Sequence, residues 1–183
     1  MNRVELYDTY GYENFISDSE QLTFLNWIKE NEFIFPINES KSSPYDSRKY
    51  LVIREFHTNI FDLVSSIKNR IITLEKIDEW VTEPNFEDGI GINKAGGNIH
   101  LHSDPNLEGY THVRYNVIIS YPNEGGHSIY NGKINELKEK MVWRCVAGKV
   151  MHGSTPVIGD KPRITLSLGF QIKNKIKNTK SLI

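Results

Sequence analysis

The stretch GGNIHLHSDPN, residues 96–106, sets His100, His102 and Asp104 at alternate positions. In an extended chain successive side chains point to opposite faces, so these three would lie along one face. Imidazole nitrogen and carboxylate oxygen both ligate divalent transition metals, and any two of the three could do so with help from elsewhere. The stretch alone leaves open which two. A His-x-Asp pair is a weak signal, since composition supplies roughly 0.3 such pairs by chance in a chain like this one. Fifty residues beyond His102, KVMHGSTPV contributes His152, and eleven residues further KPRITLSLGF contributes Arg163. Requiring a further His within a twenty-residue window and an Arg within three positions lowers the chance expectation to roughly 0.02.

His102, Asp104 and His152 together form the set of two imidazoles and one carboxylate that holds non-haem Fe(II) and leaves adjacent positions open for chemistry. A bidentate 2-oxo acid fills two such positions and dioxygen the third. The far carboxylate of that acid needs a fixed planar cation, which the rigid donor fork of Arg163 supplies. Thr165, two residues on and on the same strand face, offers a hydroxyl beside it. The competing choice, His100 with His102, is the HxH pair of a cupin-type site, which also wants a Glu a few positions on; Glu108 lies in the loop DPNLEGY. The HxD choice accounts for Asp104, His152 and Arg163 together and leaves His100 lining the pocket or on its rim.

The elements that must position these residues fall into two halves. SDSEQLTFLNWIKE opens with Ser17 and Glu20 in capping-box spacing, and Leu22, Leu25 and Ile28 recur at helical intervals. NIFDLVSSIKNRIITLEKIDEW carries Ile60, Leu63, Val64, Ile67, Ile71 and Leu74 on one stripe, with Asn59 as N-cap and Asp62 in the first turn. Between them NESKSSPYDSRKY reads as an exposed loop. From about residue 88 the texture becomes short β-type runs: IGIN, NIHLHSD, THVRYNVIISY, HSIYNG, MVWRCVAG, KVMHGS and RITLSLGFQI. Such runs at this spacing indicate a β sandwich or barrel, and a doubly wound sheet would need helices between them. The reading is one domain over 1–183, with helical support in 1–88, a β core in 89–172 and a basic tail in 173–183.

The motifs HSD, HGSTPVIGDKPRITLSLGF and the turn YPNEGG make the sequence resemble the 2-oxoglutarate- and Fe(II)-dependent oxygenase superfamily over residues 89–171, its prolyl-hydroxylase-like and amino-acid-hydroxylase-like members in particular. That resemblance implies a mainly β fold, a double-stranded β-helix or cupin-like jelly roll, buttressed by two or three helices. It implies iron held by His102, Asp104 and His152, and 2-oxoglutarate anchored by Arg163. It further implies Fe(II), 2-oxoglutarate and O2 as the reacting partners, with ascorbate as a further candidate. The activity implied is a hydroxylase, a dioxygenase that releases succinate and CO2, with desaturation or ring closure as other outcomes. Asp104 distinguishes the pattern from that of halogenating relatives, which lack the carboxylate.

One position departs from the family. Where prolyl-hydroxylase-like members often carry a tyrosine nine residues before the first iron ligand, this chain has Asn93. A substitute is offered by THVRYNVIISY, where His112, Arg114 and Asn116 share one face. The pattern resembles strands of aspartyl, asparaginyl and free-proline hydroxylases that help bind 2-oxoglutarate near its chelating end, which makes Arg114 and Asn116 second-rank cosubstrate residues. The same alternation also describes a strand with one solvated face. An arginine facing inward instead would take its carboxylate partner from cosubstrate or substrate.

Resemblance to prolyl and aspartyl hydroxylases implies an amino-acid-type substrate, free or peptidyl, with ESKSSPYDSRKY and PNLEGYTH as lid segments. Two other classes fit the residues: a non-enzymatic metal-binding jelly roll acting as sensor or scaffold, and a cupin enzyme that has no use for 2-oxoglutarate. Composition narrows the partners. With 22 Lys plus Arg against 23 Asp plus Glu, charge gives no sign of a nucleic-acid partner. The single Cys145 and an N-terminus without an apolar signal core indicate a cytoplasmic setting, and no apolar run is long enough for a membrane. Cys145 reads as a buried apolar residue, His57 and His127 as surface histidines, and Trp27, Trp80 and Trp143 as core.

Overall fold

The computed structural model describes residues 1–37, 44, 47–85 and 87–174. A hairpin, β1 (Asn2–Leu6) and β2 (Thr9–Glu13), precedes helix α1 (Asp18–Asn31), a 3-10 turn (Glu32–Ile34), strand β3 (Arg48–Val52) and helix α2 (Thr58–Glu75). There follow β4 (Trp80–Thr82), β5 (Gly89–Asn93), the long β6 (Tyr110–Ser120), β7 (Glu124–Gly125), β8 (Ser128–Tyr130) and β9 (Lys133–Asn135). The chain continues with β10 (Val142–Cys145), β11 (His152–Ser154), β12 (Val157–Ile158) and the long β13 (Arg163–Lys173). Among the described residues one large sheet runs β1-β2-β10-β6-β13-β5-β3, with β4 added on β13, and two small sheets pair β11-β8-β9 and β12-β7. This is the mainly β jelly roll that the sequence implies, with two helices on its outer face. No helix among the described residues is long and apolar enough to cross a membrane.

The alternation along β6 and β13 divides the protein into an apolar side and a working side. Val113, Tyr115, Val117 and Ile119 of β6 and Ile164, Leu166, Leu168 and Phe170 of β13 are buried in one core with Phe24 and Ile28 of α1 and Ile60, Val64, Ile67 and Ile71 of α2. Each fully buried aliphatic or phenyl side chain contributes roughly 1.5–3 kcal/mol, so this seam holds the helices to the sheet. One charge is clamped into it: Lys68 of α2 reaches Asp88 at 2.7 Å and lies over the rings of Trp80 and Phe170. Inside the barrel, Ile118, Tyr130, Leu137, Met141, Trp143, Cys145 and Ala147 form a second cluster. The polar rows of β5, β6 and β13 lie beside that cluster.

Several expectations from sequence need correction. The capping box is as expected, with Ser17 Oγ accepting from Glu20 N and Ser17 N donating to Glu20, but α1 buries Phe24 and leaves Leu22 exposed. Helix α2 starts at Thr58 with His57 as its N-cap, not Asn59, because a turn with His57 N donating to Arg54 O begins the winding earlier. Asp62 accordingly falls outside the first turn. The helix stops at Glu75 and does not run on to Trp80: Lys76 adopts a left-handed conformation and its N–H satisfies the last carbonyls. Residues 1–88 are not only helical, since β1 to β4 join the large sheet. NIHLHSD is not a strand; in it only His102 makes a bridge, to His152.

The two lid segments differ. Of 39–50, Pro44 and Ser47 to Tyr50 are described, and Arg48 to Tyr50 are strand; the remainder lies outside the described residues, as does 175–183 of the basic tail. Residues 105–109 are exposed and the segment is tied at its ends: Asn106 bonds Gly148 O and His112 N, and Gln171 bonds Leu107 N and Pro105 O.

Candidate metal centre

His102 and His152 face each other across the bridge that joins their backbones, with ring centroids 4.4 Å apart. Asp104 completes the group: its Oδ1 lies 3.2 Å from His102 Nε2 and its Oδ2 3.9 Å from His152 Nε2. One ligand atom from each of the three residues falls within 4.8 Å of the others, which suits a single divalent ion. Backbone carbonyls set the imidazole tautomers. His102 Nδ1 donates to His100 O at 2.8 Å and His152 Nδ1 to Val150 O at 3.1 Å, so both Nε2 atoms are turned toward Asp104. The hydrogen bond to Asp104 raises the basicity of His102, whereas burial lowers that of His152.

Asp104 is held from behind. Arg114 Nε donates to its Oδ2 at 3.1 Å, Nη2 donates to Glu83 Oε2 at 3.0 Å, and Nη1 to Ser167 Oγ at 3.1 Å. Burial opposes ionisation of Asp104, but the His102 hydrogen bond and the Arg114 charge outweigh it and keep the carboxyl well below its usual range. Glu83 is fully buried and accepts the backbone N–H groups of Asn85 and Glu87. It reaches Arg114 because Gly169, the β13 partner of Arg114, has no side chain: a Cβ there would sit 2.8 Å from Glu83 Cβ. His112, fully buried 3.5 Å from Asp104 Oδ2, is pushed down to about 4 by burial and by Arg114, and so stays neutral. The face of β6 that could have been solvated is therefore interior. Arg114 takes its carboxylate partners from Asp104 and Glu83, contrary to the expectation that a ligand would supply them.

Beside the metal group opens a cavity of about 120 Å³, lined by residues of the large sheet together with His152 and Gly153 of β11. By the same measure one water needs roughly 10–15 Å³, so this is a ligand-sized space and not a packing flaw. Asn93, Asn116, Arg114, Arg163 and Thr165 all line it. Arg163 is 3 % exposed; its Nη2 donates to Ser128 Oγ at 2.9 Å, while its Nε and Nη1 and the Thr165 hydroxyl have no hydrogen-bond partner among the described residues. Burial pushes the guanidinium down to about 10. Three adjacent buried donors without acceptors are costly in a finished protein and are what an absent carboxylate would satisfy.

His100 is exposed, its ring 4.9 Å from that of His102, and it falls outside the ligand group, as does the exposed Glu108. His57 and His127 are half-buried and not plain surface residues: His57 Nδ1 accepts from Arg54 N, and His127 bonds the Tyr121 hydroxyl. Cys145 is fully buried, and burial raises its thiol pKa far above the usual range. Trp27 packs on Phe35 and Trp80 on Phe170, but Trp143 lines the cavity, its indole N–H unpartnered among the described residues. Sequence reading also missed Arg48, Tyr50 and Glu83. The β-type run KYLVI was the available signal for the first two. Tyr50 lies across the glycines of β5, with its ring carbon and hydroxyl 2.5 Å from where a Cβ of Gly89 would stand.

No protein-family profile and no curated protein matches the sequence. Solved structures do match. A viral collagen prolyl hydroxylase from Paramecium bursaria Chlorella virus-1, in complex with 2-oxoglutarate, aligns over 89 % of this chain and 95 % of its own, with TM-score 0.64 and 14 % identity. A prolyl hydroxylase from Trichoplax adhaerens, in complex with a peptide fragment of the hypoxia inducible factor oxygen degradation domain, aligns over 88 % and 82 % with TM-score 0.68 and 13 % identity. HygX from Streptomyces hygroscopicus, with nickel and 2-oxoglutarate bound, aligns over 90 % and 82 % with TM-score 0.65 and 8 % identity. The chain thus has the jelly-roll fold of the 2-oxoglutarate- and Fe(II)-dependent oxygenases that its motifs resemble.

Proposed function

We propose that the protein is an Fe(II)- and 2-oxoglutarate-dependent dioxygenase that hydroxylates an unactivated C–H bond of an amino-acid-type substrate, with release of succinate and CO2. The observation that carries this reading is the presence in one pocket of the His102–Asp104–His152 group and of Arg163 with donors awaiting an acceptor. The residues fit both groups: two Nε2 atoms and a carboxylate for a divalent ion, and a buried guanidinium beside a hydroxyl for a carboxylate. When bound, iron supplies the one-electron and O2 chemistry. The chain does the positioning. His100 O and Val150 O orient the two imidazoles, Arg114 orients Asp104, and Arg163 with Thr165 would take the far carboxylate of 2-oxoglutarate. Asn93, where the family tyrosine is absent, and Asn116 present amides to the same cavity. Ile99 and Trp143 supply apolar wall that excludes water. The peptide complex of the Trichoplax enzyme and the prolyl-hydroxylase likeness support the amino-acid-type substrate.

Anaerobic loading with Fe(II) and 2-oxoglutarate followed by O2 is expected to give succinate. A protein that binds metal and 2-oxoglutarate yet yields no succinate would instead be a sensor or scaffold. Replacing Arg163 with Lys keeps the charge and loses the coplanar donor pair, so the Kd for 2-oxoglutarate should rise by at least about tenfold while Mn(II) affinity stays unchanged. Calorimetric titration reads both constants, and unaltered 2-oxoglutarate binding would remove Arg163 from the site.

A further inference from the structure

A third arginine, besides Arg114 and Arg163, faces the same pocket. Strands β3, β5 and β13 are neighbours, and in their register Arg48 pairs with Asn93 and Asn93 with Arg163. Side chains at paired positions share a face, so Arg48, Asn93 and Arg163 form one row across three strands, and all three line the cavity. At roughly 4.8 Å per strand, the two arginine Cα atoms stand about 10 Å apart. Arg48 and His102 line the same cavity, which places Arg48 on the side of the metal group as well as of the anchor. It is half-buried, and among the described residues no carboxylate pairs with it. Arg114, by contrast, is met by two carboxylates.

The two guanidinium groups of Arg48 and Arg163, which no described carboxylate pairs with, repel across one small cavity, and an anion is needed to offset that repulsion. On the reading of the site given above, the cosubstrate accounts for one cation only: its 2-oxo acid end goes to the metal and its far carboxylate to Arg163 and Thr165. We infer that Arg48 receives a carboxylate of the oxidised substrate, so that the substrate class is a small molecule with an ionised carboxylate, such as a free amino acid, and not an uncharged internal residue of a peptide. The planar donor fork suits a carboxylate, and Asn93 adds an amide from the same row. Bound in this way, the acid end lies on β3 and the remainder of the molecule extends toward the metal group.

The inference rests on the proposed oxygenase reading, and the test separates the two. The Mn(II)·2-oxoglutarate form is prepared anaerobically from wild type, Arg48→Gln and Arg48→Lys, and titrated calorimetrically with the proteinogenic amino acids and, for the tightest binder, its carboxamide and its N-acetylated, C-amidated form. The expected result is a free amino acid whose affinity falls at least about tenfold on Arg48→Gln, falls equally on amidation of its carboxylate, and is partly restored by Arg48→Lys. The Kd for 2-oxoglutarate should stay within about twofold in both variants. The inference is overturned if no free amino acid binds wild type, if the carboxamide binds as well as the acid, or if Arg48→Gln leaves amino-acid affinity unchanged. A tenfold loss of 2-oxoglutarate affinity in Arg48→Gln would equally overturn it, by assigning Arg48 to the cosubstrate. Failure of wild type to bind 2-oxoglutarate at all would sink the oxygenase reading itself.

Discussion

Asp104→Ala is expected to abolish retention of a divalent metal. Asp104 is the only carboxylate in the described ligand group, and its two oxygens lie toward both imidazole Nε2 atoms. Changing groups that merely orient metal ligands lowers affinity by about 10–100-fold, so removing the charged ligand itself should cost more than about 100-fold. Titration of Mn(II) into wild type and variant, followed by electron paramagnetic resonance, measures this directly. The variant should keep its fold, because Arg114 retains Glu83 and Ser167. Mn(II) affinity within about threefold of wild type would move the metal elsewhere, with the His100–His102 pair as the first alternative.

Arg114→Met should produce the largest loss of stability. The substitution preserves much of the stem but leaves Glu83, fully buried, and Asp104, almost so, without the cation that joins them. Breaking a buried pair from one side costs about 3–5 kcal/mol, which for a chain of this length lowers Tm by about 6–20 °C. Metal affinity should fall in parallel by about 10–100-fold, since Arg114 fixes the carboxylate ligand. The companion change Glu83→Gln in the same molecule removes the stranded charge and should recover part of the stability but not the metal affinity. Thermal unfolding and Mn(II) titration of the single and double variants separate the two effects. A Tm within about 2 °C of wild type in Arg114→Met would mean that the network does not hold the site together.

How legible the site was depended on how each residue finds its place. His102, Asp104, His152 and Arg163 are chemically distinctive and lie near one another along the chain or at telling intervals, so residue type and spacing reveal them. The inward row of β6 was visible as an alternation, but its direction was not, because a solvated and an interior polar face look alike until the small sheets are known to cover one of them. Glu83 could not be found from sequence: its reach to Arg114 depends on the missing side chain of Gly169, more than eighty residues later. Arg48 and Tyr50 were hidden because β3 follows a turn-rich segment and is only five residues long. The N-terminal hairpin was missed for a similar reason, as its short strands are half-exposed and mix polar with aromatic residues.

The position of β3 has a dynamic consequence. Among the described residues it is the terminal strand on its side of the large sheet, its one ladder being with β5, with a further bridge between Lys49 and Ile37. The strand that carries Arg48 and Tyr50 is thus an edge strand joined to the large sheet through the β5 ladder, whereas His152 stands on a different sheet. An anion bridging from Arg48 to the metal side would act as a latch, slowing amide hydrogen exchange along Arg48–Val52 more than anywhere else in the sheet.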